Sequence, residues 1–265
     1  APFLEVEALG GACTLDALPG PRGPLQGIPV SVKDLYSVKG ATTRAGSLAF
    51  ERRDAIDSSV VRRLREAGAV LLGKTSLHEF AMGVIAPASR NPLDPTRIAG
   101  GSSSGAAIAA ATGMGMAAIG TDTRGSIRIP AAFCGVVGLK PTAGMVELDH
   151  VVALSWSLDH FGVIAGSVDD AALVLGVARG EVGPPPAGQA RRIGVPRAAG
   201  QGVDAQVERA LELTIDSLVA SGCELVELDR PNAEDFDRAN LASIVVSRCE
   251  AAAYHDTLGL DRSLY

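Results

Sequence analysis

The run GGSSSGAAIAAATGMGMAAIGTDTRGSIRIPAAFCGVVGLK, residues 100–140, decides what kind of fold this chain has. It opens on a loop of glycine and serine at 100–105. The loop feeds an alanine-rich segment at 106–112 that is apolar on nearly every side, which predicts a helix buried around its whole circumference. A strand is expected at 117–119, running into 121–129, and a further apolar run covers 133–139. The middle of the chain therefore reads as its core. Upstream, 27–34 alternates apolar and polar positions as a strand does, with Lys33 at the strand end. Residues 59–67 read as a helix with Asp57 or Ser58 as N-cap and Gly68 as its stop, followed by a short strand at 69–72. Residues 1–26 read as irregular.

Downstream, Ser167 can cap a helix at 168–177, and a proline-rich linker follows at 183–188. A strand at 193–195, a helix at 204–220 stopped by Gly222 and a strand at 224–228 then give a βαβ order with a right-handed crossover. Strands alternating with helices predict an α/β fold with a mixed, largely parallel central sheet covered by helices on both faces. A single domain over 1–265 is expected.

Composition narrows the function classes. The formal net charge of −6 offers no basic footprint for direct nucleic-acid binding, and 4% aromatic residues supply no stacking platform. At 47% hydrophobic and 20% charged, the chain has ample material for a core. The uncharged stretch 98–121 is too rich in Gly, Ser and Thr for a bilayer span. Residues 1–10 carry Glu5 and Glu7 and lack a basic start, so no signal peptide is expected. Cys13, Cys134, Cys223 and Cys249 are scattered, and the four histidines lack metal-ligand spacing. Neither a zinc site nor a disulfide framework is indicated, and a reducing cytoplasm is the expected location.

Three segments place small or polar residues where packing is expected: 27–34 with Lys33, 100–105 with Ser102, Ser103 and Ser104, and 120–130 with Ser126. Burial disfavours the charged form of a lysine, so a buried Lys33 beside hydroxyls can be neutral and act as a base. Taken singly, the serine loop reads as a linker or an anion loop at a helix N-terminus, and Lys33 as an exposed charge at a strand end. It is their co-occurrence that points to a catalytic group.

Together, GIPVSVKD (27–34), GKTSLHEFAMG (73–83), GGSSSG (100–105), GTDTRGSIRIPA (120–131), FCGVVGLKPT (133–142) and SLDHFG (157–162) resemble the amidase signature family of serine-dependent amide hydrolases. The resemblance implies a triad of Lys33 as base, Ser102 as a relay serine in a cis peptide after Gly101, and Ser126 as nucleophile. It also implies an oxyanion hole built from the backbone N–H groups of Thr123, Arg124, Gly125 and Ser126. Neither cofactor nor metal is called for. The implied reaction cleaves a linear carboxamide to carboxylate and ammonia through an acyl-enzyme.

Alternatives within and beyond the resemblance are the glutaminase component of a glutamyl-tRNA amidotransferase and a non-catalytic relative acting as a binding or scaffold protein. Expected partners are a small-molecule amide and either a second copy of the chain or, for an amidotransferase, partner subunits. Arg124 stands where the family usually has a small residue; its side chain is expected to turn out of the loop, the alternative being that it enters the pocket and either binds an acidic substrate group or blocks it. Arg128 is a candidate to orient a substrate carboxylate, with a structural pair to Asp122 or Asp159 as the competing role. Cys134 is expected in the core. Against the family's length, the chain is expected to be incomplete at both ends.

Overall fold

The structure, a computed structural model, describes residues 3–5, 23–86, 89–181, 192–196, 203–260 and 262–264. In chain order its elements are β1 (Phe3–Glu5), β2 (Pro29–Lys33), β3 (Thr42–Thr43), β4 (Arg52–Arg53), α1 (Ser59–Glu66), β5 (Val70–Thr75), α2 (Ser104–Ala111), β6 (Ala117–Asp122), α3 (Arg128–Cys134), β7 (Val137–Leu139), β8 (His160–Ala165), α4 (Val168–Arg179), β9 (Arg192–Pro196), α5 (Ala205–Ala220), β10 (Glu224–Leu228) and α6 (Ala233–Thr257). They fall into two compact units, Ala1–Pro185 with Ser247–Tyr265, and Pro186–Val246.

The first unit is a mixed α/β assembly around a sheet of order β1-β5-β2-β6-β8-β7. Its middle strands β5, β2 and β6 run parallel, whereas β1, β8 and β7 are joined antiparallel. Alternation along the strands sends residues to two faces. Ala117 and Ile119 of β6 and Phe161, Val163 and Ala165 of β8 join one apolar cluster with residues of α1 and α4. Ala118 and Ile164 join another, with Ala106, Ala107 and Ile108 of α2 and Ala131 and Cys134 of α3. Helices thus cover both faces. The alanines of α2 let it lie close against the sheet, which brings the serine loop at its N-terminus over the sheet's centre.

Local signals explain the boundaries. Ser58 caps α1 by accepting from the Val61 N–H, and Gly68 follows in a left-handed conformation at φ 89°. Ser167 caps α4 by accepting from the Asp170 N–H. Several expectations need correction. Phe3–Glu5 is not irregular: it pairs with β5 as an edge strand. The apolar run at 133–139 splits between the end of α3 and β7, because Gly135, at φ 70°, ends the helix there. The linker predicted at 183–188 lies outside the described residues.

In the second unit, β9 and β10 pair in parallel around α5, as the βαβ order predicts, but they form a sheet of their own. The long helix α6 has no counterpart among the elements that periodicity predicts. Its start is marked by Asn232 and Asp235, whose side chains each accept from the other's backbone N–H, a reciprocal cap. Among the described residues no helix is long and apolar enough to cross a membrane.

One packing detail bears on the site. Gly120 of β6 and Gly162 of β8 are cross-strand partners, and the fully buried Ile127 side chain fills the hollow they leave. A Cβ on Gly162 would lie 2.3 Å from Ile127 Cγ1 and 3.1 Å from its Cβ. Gly162→Ala is therefore expected to cost about 1–3 kcal/mol of stability by overpacking and to move the segment that carries Ser126. Denaturant unfolding checks the cost, and an unchanged midpoint would contradict it.

Candidate functional site

Lys33 is the last residue of β2, a strand buried on both faces, so its side chain has no route to solvent and is fully buried. Its Nζ lies 2.8 Å from Ser102 Oγ and 3.0 Å from Thr121 Oγ1. Burial pulls its pKa from 10.5 to about 7, against the opposing fields of Asp159 and Asp122. A second buried lysine, Lys74 of β5, shows the contrast. It has Asp34 at 3.1 Å and Asp54 at 3.7 Å, and it donates to Thr43 Oγ1 and the Tyr36 carbonyl. Among the described residues only hydroxyls lie at bonding distance from the amine of Lys33, which favours the neutral form.

The serine loop is fixed by its backbone. The Gly101–Ser102 peptide is cis. The Ser102 carbonyl accepts from the His78 N–H, and the Ser103 N–H donates at 3.2 Å to the carbonyl of Ser126. That last bond ties the loop before α2 to the loop between β6 and α3. Ser102 is fully buried, whereas Ser126 is 7% exposed and lines a cavity of about 340 Å³ with Met82, Thr123, Arg124, Arg248 and others.

The loop holding Ser126 is organised by a carboxylate of its own motif. Asp122, fully buried at the end of β6, accepts from the N–H groups of Gly125 (2.7 Å), Ile127 (3.2 Å) and Arg128 (3.4 Å). It also pairs with the Arg128 guanidinium through Nε and Nη2, each at 3.0 Å. Burial pushes the Asp122 carboxyl up, but these donors outweigh it and hold the group below the usual carboxylate value.

Two expectations change as a result. The Gly125 N–H is engaged by Asp122, so the proposed donors for an oxyanion reduce to Thr123, Arg124 and Ser126. The fork of Arg128 is likewise taken up by Asp122, so this residue braces the loop rather than meeting a substrate carboxylate. Arg124 is exposed and stands at the cavity wall.

Asp159 holds the other side of the loop. It accepts from Thr123 Oγ1 at 2.5 Å and from the N–H groups of Leu154 and Ser155. Burial raises its pKa, with those bonds and Lys33 opposing. Cys134 is buried, and burial pushes its thiol up to about 11, as suits a core residue. Thr121 and Asp122 lie inside the motif 120–131, so a signal for them exists in the sequence. Arg248 has no such signal, because the helix that carries it lacks one. Among the described residues no cluster of His, Cys, Asp or Glu could hold a metal ion.

Comparison with known proteins gives a consistent picture. The Amidase family model matches residues 4–263. An amidase of Pseudomonas putida is 44% identical over 89% of this chain and 54% of its own length. The A-type component of the glutamyl-tRNA(Gln) amidotransferase of Koribacter versatilis is 41% identical over 86% of this chain and 53% of its own. Among solved structures, an amidase superposes with TM-score 0.81 at 42% identity, covering 89% of this chain and 55% of that one. The corresponding amidotransferase component of Thermotoga maritima superposes with TM-score 0.77 at 31% identity, covering 88% and 56%. The chain spans about half the length of the curated relatives it matches.

Proposed function

The chain belongs to the amidase family, and on that premise we propose that it carries the catalytic group of an amidase that hydrolyses a linear carboxamide through an acyl-enzyme on Ser126. The observation that carries this reading is Lys33: a fully buried amine with a pKa near 7, 2.8 Å from the hydroxyl of Ser102 in the loop tied to Ser126.

In this mechanism neutral Lys33 takes the Ser102 proton while Ser102 takes the proton of Ser126, and Ser126 Oγ bonds to the amide carbon. The carbonyl oxygen becomes an oxyanion facing the backbone N–H groups of Thr123, Arg124 and Ser126, a role that in other hydrolases is worth about 3 kcal/mol per donor. Collapse breaks the C–N bond, and the relay returns the proton to nitrogen, which leaves as ammonia. Water then attacks the acyl carbon, giving up a proton along the same path. The carboxylate leaves and Ser126 is restored. Neither cofactor nor metal enters the sequence of steps.

The test is covalent labelling. A fluorophosphonate should add to Ser126, identified by peptide mass spectrometry. The labelling rate should climb with pH through about 7 and level off above it, because only the neutral amine accepts a proton. Below that point the rate should fall about tenfold per pH unit. A protein that stays unlabelled would contradict the reading and favour a non-catalytic relative, and labelling independent of pH between about 5 and 9 would remove Lys33 as the base. The similarity to amidotransferase components supports a second reading, in which the ammonia released passes to a partner chain. Hydrolysis that requires added partner chains would favour that one.

A further inference from the structure

The cavity beside Ser126 is walled by apolar side chains, among them Met82, Val84, Ile129 and Leu154, and among the described residues its charged lining is Arg124 and Arg248, both exposed. Neither carboxylate behind the loop reaches the cavity lining: Asp122 is turned to Gly125, Ile127 and Arg128, and Asp159 to Thr123, Leu154 and Ser155. Arg248 also borders an adjoining cavity where Glu79 is the acidic residue. No carboxylate of the described residues lies within 4.0 Å of the Arg248 guanidinium.

Arg248 is held in place from its own helix. Glu250, two residues on, accepts from Ser155 Oγ at 2.6 Å and from the Ser157 N–H at 3.1 Å, which locks this part of α6 to the loop that Asp159 organises. Arg124 is held by the other side of the same arrangement, since its neighbours Thr123 and Gly125 are bonded to Asp159 and Asp122. Two guanidinium groups are thus presented at one opening by separate, braced elements.

We infer that Arg124 and Arg248 form an anion-recognising rim above Ser126, selecting amides whose acyl part ends in a carboxylate. This rests on the amidase reading above for the catalytic step, and on the cavity alone for the binding. A carboxylate can accept bidentate hydrogen bonds from a guanidinium, and the apolar side chains lining the same cavity suit a short methylene spacer. With a net charge of −6 the chain does not attract anions at long range, so the preference comes from these two groups at close quarters.

The experiment compares succinamate with succinamide, which replaces the carboxylate by a neutral group of the same shape. Binding is measured by calorimetry on the Ser126→Ala chain, and kcat/KM on the chain with Ser126 intact. Succinamate should be favoured by about tenfold or more in both measurements. Arg124→Met and Arg248→Met should each reduce the ratio and together bring it near unity, while Arg→Lys at either position should restore part of it. Raising the salt from about 0.02 to 0.5 M should shrink the preference. Equal affinity for the two compounds, or a ratio indifferent to both arginines, would overturn the inference while leaving hydrolysis intact. A binding preference that depends on the arginines, in a protein that hydrolyses neither compound and leaves Ser126 unlabelled, would uphold the rim and overturn the catalytic reading.

Discussion

Lys33→Met should reduce acylation of Ser126 by about 10²- to 10⁴-fold, the usual range for losing a positioned base, and should make the folded chain more stable at pH 7. The two effects share one cause. Burial lowers the amine from 10.5 to about 7, so between those values the unfolded chain binds more protons than the folded one. Wild-type stability then rises with pH across that window. At pH 7 the folded state carries about 4 kcal/mol of a full linkage penalty of about 5 kcal/mol, at 1.36 kcal/mol per pKa unit. Methionine removes the penalty but leaves the hydroxyls of Ser102 and Thr121 without the amine, at roughly 1 kcal/mol each. A net gain of about 2 kcal/mol follows from those two figures. Urea unfolding at several pH values should show the variant's advantage fully developed at and below neutrality and shrinking as pH rises toward the unfolded value of 10.5. A variant less stable than the wild type at pH 7 would remove the claim that this amine is buried at a cost to folding.

What sequence reveals and what it conceals divides along physical lines. Lys33, Ser102 and Ser126 are legible because each sits in a motif whose residue types conflict with their apolar surroundings, and three such conflicts in one chain point to a common site. The helix starts at Ser59 and Val168 are legible because capping is local: Ser58 and Ser167 each accept a bond from an N–H three residues on. The fate of individual donors is not. Whether the Gly125 N–H faces a substrate or a carboxylate depends on where the β6 strand ends, and Asp122 falls at that end. Arg128 can be placed beside Asp122 only as one of two equal choices, because sequence proximity does not tell a fork turned inward from one turned to the cavity.

The edge strand Phe3–Glu5 is hidden for a related reason. Its partners, Lys74 and Thr75 of β5, lie some seventy positions away, and three residues carry no period to read. The buried group of Lys74, Asp34 and Asp54 is the same case in side chains. Each residue alone reads as surface charge, and only the fold reveals that they compensate one another. Helix α6 has few buried positions, Ser247 and Ala251 among them, so it lacks the apolar stripe by which a helix is recognised.

Asp122→Ala should be the most damaging single change to the fold near the site, at about 3–5 kcal/mol. Burial alone would raise the Asp122 carboxyl, yet Arg128, Gly125 and Ile127 together bring it below its ordinary value. The stability this supplies is present above the unfolded carboxylate pKa and is lost as pH falls through the lower folded value. Removing the carboxylate leaves the buried amides of Gly125 and Ile127 unpaired and frees Arg128, so the loop that carries Ser126 loses its centre. Asp122→Asn keeps an oxygen for Gly125 and should cost less, about 1–2 kcal/mol, which makes it the variant for kinetics. Asp122 also supplies part of the field that holds Lys33 protonated. The acid limb of the labelling profile should therefore move to lower pH in Asp122→Asn, even as the plateau rate falls. An unmoved limb would mean that Lys33 does not set the pH dependence, and a full plateau rate would mean that the Ser126 loop keeps its shape without this carboxylate.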